Sequence, residues 1–221
     1  MNKLFKKKNG IDSVLSISLL KSPPVYVQLL LGLACGILDQ ILCALAVYKN
    51  IHVFLDMYFT IFASYFGLVS GLFSAFIKHI VITLILKNPI SSSVWGLCTV
   101  SAVFTVRLFL ARQKSIFIIE LMTLVLILTC VISIEGAVIA SFFYNYSTGF
   151  VEDPSIAGYI LSLLRQGFPL FFSAFVSRIQ VNFIDKGLGV LSSWILYCIV
   201  RAVIHFILKK KGRPGGSSSL R

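Results

Sequence analysis

The sequence predicts an all-α membrane protein, a polytopic bundle of about six transmembrane helices with both termini in the cytoplasm. Three observations lead there. Hydrophobic residues make up 57% of the 221-residue chain and charged residues only 13%, about half the charged share of a soluble domain. The mean hydropathy is +0.93. Runs such as Leu121 to Cys130 are apolar on every side, which suits a helix and not the alternating strands of a membrane barrel. A soluble enzyme, a disordered chain and a disulfide-stapled secreted domain are excluded, because none could clothe this much apolar surface.

The elements follow in order. Residues 1–24 form a basic cytoplasmic segment with Lys3, Lys6, Lys7 and Lys8, then an amphiphilic stretch from Ile11 to Leu20 read as an interfacial helix, then Ser22-Pro23-Pro24. The membrane domain occupies 25–208. A helix needs roughly 20 apolar residues to cross ~30 Å of hydrocarbon. Val25 to Tyr48 meets that need. Ile51 to Phe66 and Leu68 to Leu86 follow, hinged at Gly67, before a loop at Lys87-Asn88-Pro89. Val94 to Ala111 is the fourth span and Ile116 to Tyr144 the fifth. After the polar loop from Asn145 to Pro154 come Ile156 to Val176 and Phe183 to Leu208. Residues 209–221 are a basic, Gly- and Ser-rich cytoplasmic tail.

Seven apolar segments conflict with the charges. Lysines at both ends place both termini inside, so the number of crossings is even. Arg112 and Lys114 then lie inside, and Glu152 and Asp153 outside. The segment that fails to cross is 156–176, whose Arg165, Gln166, Gly167 and Pro169 disfavour a regular lipid-facing helix. It is expected as an outer cap or re-entrant segment. The net charge of +12 reads as topology and contact with anionic lipid headgroups, not as a nucleic-acid surface.

Charges inside a membrane are costly and functional by default. Asp39, Lys78, His79, Arg107, Glu135, Arg201 and His205 qualify. Arg107, Arg201 and His205 lie near the cytoplasmic side and are read as snorkelling. Asp39 reads either as a functional charge or as a hydrogen-bonding link between helices. Lys78 needs a carboxylate or a polar cavity, with Asp39 and Glu135 as possible partners. Arg178, Asn182, Asp185 and Lys186 recur at i, i+4, i+7 and i+8, one face of a helix. That face either hydrogen-bonds a polar solute or merely anchors the helix at the interface. Gly32-x-x-x-Gly36 and Gly67-x-x-x-Gly71 permit close helix approach.

No HExxH, GxSxG or GxxxxGK[ST] motif is present, and His52, His79 and His205 lack a second ligand at metal spacing. Cys35, Cys43, Cys98, Cys130 and Cys198 sit in apolar runs without CxxC spacing and read as small buried residues. No catalytic residue, metal or cofactor is expected.

The stretch from Phe54 to Gly71 resembles the second-to-third helix turn of the substrate-binding (S) components of energy-coupling factor transporters. The Arg178 to Lys186 segment and the plan of six helices with cytoplasmic ends are similar too. The chain differs from the usual pattern in lacking a proline after Gly67 and in carrying Gly32 and Gly36 where an alanine pair is usual. The resemblance implies a cell-membrane subunit that captures a small, vitamin-like solute from outside and couples to a transmembrane protein and ATPase subunits. It places Gly32 and Gly36 on the partner-coupling surface. It places Asp56, Trp95, Glu135, Arg178, Asn182, Asp185 and Lys186 at the solute, with the loops 50–56 and 87–95. A membrane sensor or scaffold without transport, and a self-sufficient secondary transporter, are the alternatives.

Overall fold

A computed structural model describes residues 17–18, 22–49, 55–81, 84, 90–113, 115–116, 118–146 and 154–211. The basic segment 1–16, the Lys87–Pro89 loop, Glu152, Asp153 and the tail 212–221 lie outside the described residues. Seven α-helices account for nearly all of what is described. They are α1 (Val25–Tyr48), α2 (Tyr58–Phe66), α3 (Leu68–Phe76), α4 (Gly96–Ala111), α5 (Ile118–Tyr146), α6 (Pro154–Arg165) and α7 (Leu170–Lys211). Among the described residues, four stretches are long and apolar enough to cross a membrane: Val25–Ala46, Ser93–Ala111, Ile118–Phe143 and Leu170–Ile204.

Punctuation in the sequence sets most boundaries. Pro24 offers its carbonyl to the amides of Val27 and Gln28 at 3.0 and 3.1 Å and so opens α1. Gly67 separates α2 from α3 with an extended backbone (φ 172°, ψ 163°), where the sequence places the hinge. A side chain at Gly67 would strike the Gln28 amide group. α6 ends in a Schellman turn: Phe168 N–H donates to Leu163 O at 3.2 Å and Gly167 N–H to Leu164 O at 3.0 Å. Gly167 takes the left-handed conformation this turn requires (φ 87°). Pro169 then starts α7 by accepting from Ser173 N–H at 2.9 Å.

Three expectations change here. The stretch 156–176 is divided at Gly167–Pro169, and its last residues belong to α7, which runs unbroken for 42 residues. In the described part of the second apolar segment, 55–57 are not helical and α2 begins at Tyr58; it has nine residues and is about 13 Å long, well short of the ~30 Å hydrocarbon layer. Residues 51–54 of that segment lie outside the described set. In the expected interfacial helix, Ile17–Ser18 is instead extended and pairs antiparallel with Ser115–Ile116. This pairing joins Ile17–Ser18 to the connection between α4 and α5.

The short α2 is the centre of the bundle. Every residue from Thr60 to Phe66 is buried, enclosed by α1, α3, α4 and α7. Tyr65 lies 5.6 Å from Trp194 and 5.3 Å from Tyr197, and Phe66 packs edge-on to Tyr197. A second apolar cluster joins Ala137 and Ala140 of α5, Ile156 and Ile160 of α6, and Ala174 of α7.

Close approach of α1 and α3 depends on Gly32 and Gly36. A Cβ on Gly32 would lie 2.6 Å from Ser70 O, and one on Gly36 2.7 Å from Ser74 O. Both glycines are buried. The residues expected to face a coupling partner are therefore covered by the chain's own third helix, which is what small residues at i and i+4 achieve between helices.

Candidate functional site

A nine-residue helix buried in a bundle leaves amide donors at one end and carbonyl acceptors at the other without partners. Here other helices provide them. Asp39 of α1 accepts from Phe59 N–H and Thr60 N–H, both at 2.8 Å, and from the Thr60 hydroxyl at 2.6 Å. At the far end, Arg107 of α4 donates to Ser64 O at 3.1 Å. The negative group meets the positive end of the helix dipole and the positive group the negative end. Both charges thus have structural work, and Asp39 is the link between helices that the sequence allowed.

Immediately before α2, the connection Leu55–Met57 meets the polar face of α7. Asp185 accepts from Leu55 N–H at 2.9 Å. Lys186 pairs with Asp185 at 2.6 Å and with Asp56 at 3.1 Å. Lys78 reaches the same carboxylate at 3.4 Å and also donates to Asp56 O. Lys78, Asp185 and Lys186 are nearly inaccessible, at 5%, 1% and 1%. Two ammonium groups face two carboxylates, so the cluster is neutral, the condition under which charges survive in a low-dielectric interior.

Lys78 arrives there through a π-helical turn, Ile77–Val81, that follows α3. The extra residue of such a turn changes the direction of successive side chains. Lys78 turns to Asp56 while His79 turns to Thr99 of α4, with Nε2 and Oγ1 2.7 Å apart. The partner of Lys78 is thus Asp56, and neither Asp39 nor Glu135.

Further along α7, Asn182 donates to Ser133 Oγ of α5 at 3.0 Å. Arg178 lies over the Trp95 ring, 5.5 Å from its centroid, within cation–π range. Gly136 makes room for it: a Cβ there would lie 2.9 Å from Arg178 Cδ. From Arg178 to Lys186 the buried face rises about 12 Å.

The residues expected at a solute site are thus largely brought together. Arg178, Asn182, Asp185 and Lys186 form one buried seam, met by Trp95 at one end and Asp56 at the other. Glu135 turns away to α4, where its Oε1 accepts from Ser101 Oγ at 2.5 Å. Its Oε2 is buried without a hydrogen-bond partner. Sequence reasoning left Lys78 outside the site, although a second buried lysine needing a carboxylate was a signal for it. A separate surface hollow of about 490 Å³ lies on α6, lined by Gly158, Leu161, Ser162, Arg165 and Gln166.

Among the described residues, no three His, Cys, Asp or Glu side chains converge as a metal site. All five cysteines are free. No protein-family model, curated protein or solved structure matches the chain.

Proposed function

We propose that the chain is a multi-pass cell-membrane subunit that binds a small, vitamin-like solute from outside for ATP-driven uptake, powered by a transmembrane coupling protein and partner ATPases. The proposal includes six crossings and both termini in the cytoplasm, with α6 covering the outer end. The observation that carries it is the α7 seam, where four polar residues in two turns are buried among helices of membrane-spanning character. Intramembrane charges gathered in one place mark solute and ion pathways. The ATPase partners rest on the resemblance of the Phe54–Gly71 and Arg178–Lys186 stretches to energy-coupling factor S components.

Purification from native membranes followed by mass spectrometry of retained small molecules tests solute binding. Co-expression with an energy-coupling module tests coupling, with a stable complex and ATP-dependent uptake as the expected results. A protein that carries no solute and ignores the module overturns the reading. One observation favours the rival, a membrane scaffold or sensor: Asp56 and the three charges around it neutralise one another. Association with a kinase or secretion partner in place of ATPases would select it.

A further inference from the structure

Asp56 differs from the other members of its cluster. Its side chain is 21% exposed, whereas those of Lys78, Lys186 and Asp185 are 4%, 2% and 1% exposed. It also stands on a connection, while the two lysines belong to helical turns and Asp185 to α7. The residue before it, Leu55, is the one non-glycine residue with positive φ among the described residues (46°). Such a backbone is held under strain by its surroundings and is typical of clamps and switches. The carboxylate itself bridges two ammonium groups, at 3.1 and 3.4 Å.

Without Asp56 the cluster would consist of Lys78, Lys186 and Asp185, with a net charge of +1. One monovalent carboxylate restores neutrality, whereas a dianionic phosphate overshoots it. We infer that Lys78 and Lys186 form the subsite for a carboxylate group of the solute, and that Asp56 is a tethered stand-in for that group which swings out to water when solute enters. The lysines and Asp185 stay in place because their helices fix them. Asp56 can leave because its side chain is partly exposed and a strained junction lies behind it. The inference rests on the solute-binding reading above and names the chemistry of that site.

The test uses the purified full-length chain in detergent, with acetate as the probe and acetamide as its neutral counterpart, at constant ionic strength. Asp56→Asn should lower the unfolding midpoint. Acetate should then raise it with the logarithm of concentration, as a ligand of the folded state does, and acetamide and chloride should not. Adding Lys78→Met should abolish the response. In the wild type, acetate should accelerate hydrogen exchange at residues 55–57 as Asp56 is displaced. This second measurement decides the matter alone if Asp56→Asn does not fold. Equal responses to acetate and acetamide, a response that survives Lys78→Met, or unchanged exchange in the wild type would overturn the inference. No ATPase is involved, so an acetate response without uptake fails only the transport reading, and uptake without an acetate response fails only this one.

Discussion

Replacing Asp39 with alanine tests whether a carboxylate from α1 holds the start of α2. The change removes the acceptor of three hydrogen bonds. The Thr60 hydroxyl keeps Ser74 as a partner at 2.7 Å, but the amides of Phe59 and Thr60 are left without their acceptor. Leaving a buried donor unsatisfied costs about 1–3 kcal/mol each, so Asp39→Ala should destabilise the fold by about 2–6 kcal/mol. Asparagine retains one acceptor oxygen but loses charge assistance, which roughly doubles such bonds, so Asp39→Asn should cost about 1–2 kcal/mol. Reversible unfolding in mixed micelles, followed by far-ultraviolet circular dichroism, measures both. A loss under about 1 kcal/mol for alanine, or equal losses for the two variants, would refute the assignment. Arg107→Met, at the opposite end of α2, offers an independent arm.

Three further outcomes are expected. Lys186→Met leaves Asp185 without its ammonium partner and should cost about 3–5 kcal/mol; the double change with Asp185→Asn should recover much of it, read as a double-mutant cycle in unfolding midpoints. Gly32→Ala pushes a methyl group against the Ser70 carbonyl, which belongs to the backbone of α3 and cannot step aside, so the loss should be about 1–3 kcal/mol in the same assay. Gly136→Ala brings a methyl group to 2.9 Å from Arg178 Cδ and 3.6 Å from Trp95; Arg178 is itself buried and must shift, so the loss should be about 1–3 kcal/mol. Displacement of the guanidinium should shift Trp95 emission, measured with Trp194 replaced by phenylalanine.

The elements legible in the sequence are those fixed by local backbone chemistry. Gly67 and the pair Pro23-Pro24 mark boundaries because a break or a start there follows from the residue itself. Gly167 and Pro169 carried the same kind of signal. The segment 156–176 nonetheless reads as one piece in the sequence, because its apolar content continues across them to Val176. The polar face of α7 was also legible, since helical spacing alone aligns Arg178, Asn182, Asp185 and Lys186. Pairings between helices were not. Asp39 caps a helix that begins about twenty positions later, and Lys78 meets Asp56 only because a π turn rotates it. Gly32 and Gly36 show the same limit: spacing reveals that some helix approaches, but not whether that helix belongs to the same chain.

α7 has a mechanical consequence. It contains no proline, and its 42 residues make a rod of about 63 Å, twice the thickness of the hydrocarbon layer. Lys186 grips the α1–α2 connection partway along it, and Lys211 ends it about 37 Å further on. If the rod pivots at Lys186 by only about 5°, its basic tip sweeps roughly 3 Å, a distance derived from the helical rise alone. An unjointed lever arm of this kind would carry a small change in that lysine's grip, enlarged, to the far end of the helix.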